Sequence, residues 1–432
     1  MIKTLNINNL KFYKNLEKIL NLRKDIQNFK DPIVLKIIKD IKKNGDKALI
    51  KYEKKFNSNT KIILSDEEIK KCIKKIDINL KKSIDLAYSR IFKYHLNQKL
   101  RNFKIIDKYK NKFESKIFPI EKVGIYVPGG TANYPSTVLM NAIPAIIAKV
   151  KTIVMASPFK LSHLNPGVLY AANKCKIKTI YSIGGAQAIA AMAYGTKKIK
   201  KVNKIVGPGN RFVTAAKKEV FGDVGIDMIA GPSEITIVAD NFSNPDYIAA
   251  DLISQAEHDK FSQCILISLN NEILKKVKLS IIKQIKILPR KKIAKYSLEN
   301  FGLFIKASSY KQIIKTINLI APEHLELSIK NFNKIKNKIF NAGSIFLGKY
   351  STEAIGDYLA GPNHVLPTSG AAKFSSGLSV YDFLKRISYT NLSKRGLEKL
   401  GPSVITFANF EDLYGHTKSV KLRLKKKDHQ FD

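Results

Sequence analysis

Four of the seven histidines stand close in sequence to a carboxylate or a carboxamide: Gln255/His258, Glu323/His324, Asp357/His364 and Glu411/His416. Carboxylates and imidazoles gathered together can hold a divalent cation and move protons. Ligation by nitrogen and oxygen without thiolate suits Zn2+ or another borderline metal, and a glutamine carbonyl, being a weak ligand, leaves the metal more Lewis-acidic. Each pair alone also has an ordinary explanation. Gln255 and His258 fall at i and i+3, half a metal site on one helix face, but polar helix faces often look like this. Glu323 and His324 at a helix start could form an acid/base pair, or Glu323 could simply answer the helix dipole. His364 lies in a Pro/Gly loop and His416 near the C-terminus, where histidines without a role are common. His95, His163 and His429 read as surface or structural residues.

The glycine turns are the other candidate chemistry. GGAQAIA (184–190) and GPGN (207–210) could bring backbone N–H groups and a helix N-terminus to a phosphate. Tight-turn geometry explains them equally well. The GxGxxG fingerprint is absent, so a dinucleotide would have to bind in a non-standard pose.

The elements that position these residues follow from periodicity. Residues 33–56 and 66–99 carry apolar residues at three- and four-residue spacing, giving a Lys-rich helical region over 1–115. From 121 the texture changes to strand, loop and helix in alternation: VGIYVPGG, a helix over 138–148, KTIVMASP, a helix over 167–173, KTIYSIGG, AQAIAAMAYG and KIVGPGN. That order is the pattern of a parallel, doubly wound sheet, with glycines at strand ends where such sheets bind ligands. A second cycle starts at Gly231 with the strand EITIVAD. A helix over 245–256, the strand QCILISL, a helix over 272–286, FGLFIKAS, a helix over 309–320 and AGSIFLG follow. The end of the chain reads as helices plus an extended KSVKLRL. The expected class is α/β: two incomplete Rossmann-like doubly wound domains, 116–232 and 233–379, with the helical region 1–115 and a small C-terminal arm, 380–432.

Composition narrows the function classes. Hydrophobic residues at 44% and charged residues at 26% exclude a disordered chain. The net charge of +41 would suit nucleic acid. However, the lysines are spread among Ile and Asn rather than gathered in one stripe, apart from a small cluster at 421–427. A basic scaffold or nucleic-acid binder therefore rests on charge alone, and no specific nucleic-acid partner is expected. Cys72, Cys175 and Cys264 are too few and scattered for a disulfide framework or a thiolate zinc site. The N-terminus shows no apolar signal region. The longest apolar stretch, 135–150, is interrupted by Asn141 and Pro144 and is too short to span a bilayer. A cytoplasmic, reduced protein without membrane contact is expected.

These residues lie in blocks that resemble the histidinol dehydrogenase family from about 119 to 416, with a weaker match in the helical N-terminal region. The blocks are GIYVPGGTANYPSTVLMNAIPA, YSIGGAQAIAAMAYGT, VGPGN, IDMIAGPSEITIVAD, DLISQAEHD, APEHLEL, GDYLAGPNHVLPTSGAAKFSSGLSV, and the tail with Glu411 and His416. Their number and common order exclude chance agreement. The resemblance implies oxidation of L-histidinol through L-histidinal to L-histidine with two NAD+. It implies one zinc per subunit held by Gln255, His258, Asp357 and His416, the last supplied by the other chain of a homodimer. Glu323 and His324 match the family's acid/base pair. Ser233, Gln255, His258, His324, Asp357, Glu411 and His416 match substrate contacts, and Tyr126, Gln187 and Asn210 match NAD contacts. No cysteine falls in a matching site block, which favours a hydrate over a thiohemiacetal for the second oxidation. A related dehydrogenase acting on another amino alcohol is the neighbouring alternative. Lys260–Phe261 is bulkier and more basic than the pattern suggests, and the +41 charge is unusual for it.

Overall fold

The computed structural model describes residues 2–27, 31–129, 133–160 and 164–425, with side chains placed except at 24–27. His163, His429 and part of the basic cluster at 421–427 lie outside the described residues. The chain divides into two compact units, residues 1–98 with 120–383, and residues 99–119 with 384–432.

The larger unit opens with β1 (Lys3–Asn6), α1 (Phe12–Gln27), α2 (Pro32–Asn57), α3 (Asp66–Ile73) and α4 (Ile78–His95). Periodicity alone runs α3 and α4 together, but Asp77 accepts hydrogen bonds from the Asn79 and Leu80 N–H groups and starts a new helix. In the smaller unit, β2 (Phe103–Ile106) and β3 (Lys112–Pro119) join the later β14 (Leu384–Asn391) in an antiparallel sheet, β14-β3-β2. Helices α14 (Lys394–Phe410) and α15 (Tyr414–Leu424) complete that unit.

Two parallel sheets organise the larger unit. The first alternates β4 (Lys122–Tyr126), α5 (Pro135–Ile147), β5 (Thr152–Ala156), α6 (Pro166–Lys174), β6 (Thr179–Tyr181), α7 (Gly185–Tyr194), β7 (Lys204–Val206), α8 (Arg211–Val220) and β8 (Gly225–Ile226). Its order is β6-β5-β4-β7-β8. The second runs β9 (Glu234–Ala239), α9 (Pro245–Ala256), β10 (Gln263–Ser268), α10 (Asn271–Gln284), α11 (Lys291–Asn300), β11 (Leu303–Lys306), α12 (Tyr310–Ile320), β12 (His324–Ser328), β13 (Ser344–Leu347) and α13 (Glu353–Tyr358). Its order, β1-β11-β10-β9-β12-β13, takes the N-terminal strand as an edge. The α/β class with two doubly wound parallel sheets is therefore the fold of the chain, similar in both halves to an incomplete Rossmann arrangement.

The inner strands β9, β10 and β12 of the second sheet are buried along their whole length and on both faces, as helices on either side require. Ile248, Ala249, Leu252, Ile253 and Ala256 of α9 join Ile235, Ile237 and Leu266 in one core. α1 packs Phe12, Leu16 and Leu20 against the other face, beside Leu325 and Leu327. From this helix Arg23 reaches inward. Its guanidinium lies 2.8 Å from Glu234 Oε2 and also donates to the Ile320 carbonyl at 2.7 Å.

Three local expectations are corrected. APEHLEL does not start a helix: Ala321 closes α12 in the left-handed region, φ 49°, and His324 opens the buried strand β12. KSVKLRL is not extended; its alternating apolar pattern sits in α15. The region 1–115, expected as helical, also holds strands β1, β2 and the start of β3; β1 and β2 are mostly exposed, so they lack the apolar alternation that marks a half-buried strand.

Removing the cation from the Arg23–Glu234 pair leaves a buried carboxylate alone. Arg23→Met is expected to lower the unfolding free energy in urea by about 3–5 kcal/mol. A loss under about 1 kcal/mol would show that the pair does not anchor α1.

Candidate functional site

Parallel strands β9, β10 and β12 begin side by side at Glu234, Gln263 and His324. α9 runs back from the end of β9 to the start of β10, so its last turn arrives at this amino edge. Gln255 is in that last turn. His258 follows the helix rather than lying on it, and its N–H reaches the Gln255 carbonyl at 3.3 Å. The i, i+3 proximity expected from sequence survives through a turn instead of a helix face.

α13 returns from β13 and carries Glu353 and Asp357 four residues apart. The ligand atoms of His258, Glu353 and Asp357 all lie within 4.8 Å of one another. Glu353 is held on both sides: its N–H donates to Glu326 Oε1 at 2.7 Å, and the Ser254 hydroxyl donates to its Oε2 at 3.2 Å. Two oxygens here, Gln255 Oε1 and Glu353 Oε1, are buried without a hydrogen-bond partner. Such atoms are costly unless something else satisfies them, and a divalent cation would. Burial raises the Glu353 and Glu326 carboxyls well above their ordinary range, with neighbouring carboxylates adding to it, and raises Asp251 as well.

The acid/base candidates share a single anchor. The Glu234 N–H donates to Glu323 Oε2 at 2.8 Å, and the Glu234 carbonyl lies 3.1 Å from His324 Nδ1. A carbonyl can only accept, so Nδ1 carries the hydrogen and Nε2 keeps a lone pair. That Nε2 is 3.9 Å from Asp357 Oδ1. Burial holds the His324 pKa below its usual value despite the pull of Asp357, so the ring is neutral. Burial drives Glu323 in the other direction, well above the carboxylate range, reinforced by the charges of Glu234, Asp357 and Glu353. Glu323 and His324 lie 3.7 Å apart. Ser233 precedes β9 and is half-buried, with its carbonyl accepting the Gln263 N–H.

The other expected residues fall elsewhere. Tyr126, at the end of β4, and Gln187, in the first turn of α7, are buried beside the Gly184–Gly185 turn of the first sheet. Burial pushes the Tyr126 hydroxyl up to about 12. Asn210 is exposed and caps α8, accepting from the Phe212 and Val213 N–H groups. Gly207 adopts φ 113°, and a Cβ there would collide with the Tyr126 carbonyl, so this turn needs glycine. Glu411 and His416 belong to the smaller unit, and both are exposed.

Sequence reasoning missed four participants. Glu353 had a usable signal, a carboxylate four residues before Asp357. His364 was set aside as a loop residue, yet its Nδ1 lies 2.9 Å from the Asp357 carbonyl. Arg23 and Glu53 sit in Lys-rich helices far from any motif.

Comparison with known proteins is consistent along the chain. A family model described as histidinol dehydrogenase matches residues 22–424. A histidinol dehydrogenase of Pelagibacter ubique is 60% identical, covering 99% of this chain and all of the relative. One of Clostridium acetobutylicum is 46% identical, covering 95% and 96%. The crystal structure of histidinol dehydrogenase from Elizabethkingia anophelis aligns with a TM-score of 0.89 at 40% identity, over 98% of both chains.

The raised Glu323 carboxyl has a consequence for stability. Folded protein keeps its proton at a pH where unfolded chain releases it, so the group's contribution is fully present at acid pH and is lost as pH rises toward the folded pKa. In chelator-treated protein, Glu323→Gln is expected to gain stability over the parent as pH rises from 5 to 8, by up to about 1.4 kcal/mol per pH unit. Parallel urea curves at both pH values check this; a pH-independent difference would contradict it.

Proposed function

The chain belongs to the histidinol dehydrogenase family, NAD-dependent CH–OH oxidoreductases of histidine biosynthesis, and from that membership we propose a zinc-assisted oxidation of L-histidinol through L-histidinal to L-histidine with two NAD+. The observation that carries this reading is the meeting of His258 and Asp357 beside the neutral His324, with the unpaired Gln255 oxygen on the same amino edge.

Gln255, His258 and Asp357 would hold one zinc per subunit together with the partner subunit's His416, and Glu353 adds a carboxylate to that donor set. Bound zinc supplies Lewis acidity and a template for the amine and imidazole nitrogens of histidinol. Bound NAD+ would supply the hydride acceptor for each oxidation. Tyr126, Gln187 and Asn210 would contact it from residues 116–232, while residues 233–379 provide the metal and proton-transfer groups.

The chain's own residues then move protons. His324 Nε2 takes the hydroxyl proton of histidinol as the carbinol carbon is oxidised. Glu323, a strong base once ionised because burial raises its pKa, would take a proton from water as the water oxygen adds to the aldehyde carbon. Protonated His324 returns its proton to the carbonyl oxygen, giving the hydrate and freeing His324 to accept again. His324 takes the hydrate's hydroxyl proton in the second oxidation, and the added oxygen remains in the carboxylate. Ser233 and Glu411 would complete the substrate contacts. The buried cysteines support the hydrate: burial pushes the Cys175 thiol up to about 12 and Cys264 higher still, so neither offers a thiolate.

The homodimer in this reading lets each arm, 380–432, complete the other chain's site. The exposed Phe103, Ile105, Phe407, Phe410 and Tyr414 of the smaller unit support a covered face. Among the described residues no helix is long and apolar enough to cross a membrane. Three unpaired, buried cysteines agree with a reducing cytoplasm.

Purified enzyme is expected to hold one zinc per chain and to form two NADH per histidinol. Replacing His258 with Asn should remove metal and turnover together; full activity without metal would end the zinc assignment. The shared site has its own test. His258→Asn and His416→Ala chains, each inactive alone, should regain about a quarter of parental activity when mixed and reassembled, because each mixed dimer holds one intact site. No recovery on mixing would mean that His416 acts within its own chain.

A further inference from the structure

In a parallel α/β sheet, a glycine turn opening a helix is the ordinary seat of a phosphate, since backbone N–H groups and the positive helix end converge on one anion. The Gly184–Gly185 turn before α7 has this form, yet protein atoms already occupy its donors. Glu53, near the end of α2, accepts the Gly184 N–H on Oε1 at 3.0 Å. The Tyr126 hydroxyl oxygen accepts the Gly185 N–H at 3.1 Å. The same Glu53 Oε1 accepts Gln187 Nε2 at 2.9 Å, and its Oε2 accepts Asn57 Nδ2 at 2.6 Å. α7 has no side-chain cap of its own. A carboxylate from a distant helix serves as its anion.

The choice of a carboxylate is informative. Glu53 is buried, and the partners named here are neutral N–H donors. A serine or asparagine would cap a helix without the desolvation cost of a buried charge. Space is also closed, since a Cβ on Gly184 would lie 2.5 Å from Pro158 Cβ. Two of the groups joined through this turn, Tyr126 and Gln187, are cofactor contacts in the reading above.

We infer that Glu53 fills the phosphate seat of α7, positioning Gly184 and Gln187 for the cofactor and keeping a dinucleotide's diphosphate away from this turn. The inference rests on the reading that the first sheet binds NAD+. It gives the missing GxGxxG a physical cause, because a turn that already carries its anion has no use for that fingerprint.

Calorimetric titration of zinc-loaded enzyme with NAD+ and, separately, with histidinol tests the positioning. Glu53→Met keeps the length and removes every acceptor, so the Gly184 and Gln187 donors both lose their partner, whereas a glutamine could keep both on its one oxygen and face its N–H2 to Asn57. The expected result is an NAD+ Kd raised about tenfold or more, the scale of one lost hydrogen bond, with histidinol affinity unchanged. Thermal melts with inorganic pyrophosphate test the exclusion. Pyrophosphate should raise the Tm of Glu53→Ala more than that of the parent, whose surface charge is otherwise the same. Unchanged NAD+ affinity in Glu53→Met, or equal pyrophosphate shifts in parent and Glu53→Ala, overturns the inference while leaving the cofactor reading intact. Failure of the parent enzyme to bind NAD+ overturns both. Should Glu53→Ala not fold, the Glu53→Met titration decides alone.

Discussion

The backbone of one residue, Glu234, governs the site. The N–H of Glu234 holds the Glu323 carboxyl, and its C=O fixes which nitrogen of His324 carries hydrogen. Both contacts depend on β12 lying beside β9 in one register, with His324 opposite Ile235. The Glu234 side chain is fixed in turn by Arg23 and by the Ser369 N–H at 2.7 Å. A shift of β12 by one residue would turn His324 to the other face of the sheet. The helix that carries Arg23 therefore supports the Glu323–His324 pair without approaching it in sequence.

Around that anchor the interior is acidic while the exterior is basic. Asp251, Glu326, Glu353, Asp357 and Glu323 cluster under a surface whose charge makes the whole chain +41. The excess of lysine thus says little about the site. What decides its chemistry is burial, which lowers an imidazole and raises carboxyls within a few ångströms of each other. That divergence sets an imidazole that gives up its proton readily beside a carboxyl that holds one tightly.

Much of the fold was legible because its signals are local. The α9 helix runs over 245–256 as its spacing indicates, with Asn244 and Pro245 at its start. The glycine turns fall at strand ends for the same reason. β12 misled because Glu-His after a proline also suits a helix start, and only the left-handed Ala321 and its neighbours β9 and β13 decide the matter. The site was legible as residue types but not as a gathering. Gln255 and His258 announce themselves by spacing, whereas their meeting with Asp357 depends on how α13 returns across the sheet. Glu53 and Arg23 were invisible, since nothing local separates them from the other charged residues of lysine-rich helices.

The two groups of candidate residues lie at opposite rims of their sheets. Tyr126 and the Gly184 turn lie where strands of the first sheet finish, whereas Glu234, Gln263 and His324 lie where strands of the second begin. In a wound α/β layer, helices start above the finishing rim and stop beside the beginning one; α9 and α12 both stop there. The beginning rim thus collects helix carbonyls and carries a standing bias toward metal ions, before any ligand residue is placed. The finishing rim carries the reverse bias, toward anionic nucleotides. The two groups of candidate residues thus sit at rims of opposite backbone polarity, one suited to a cation and the other to an anion.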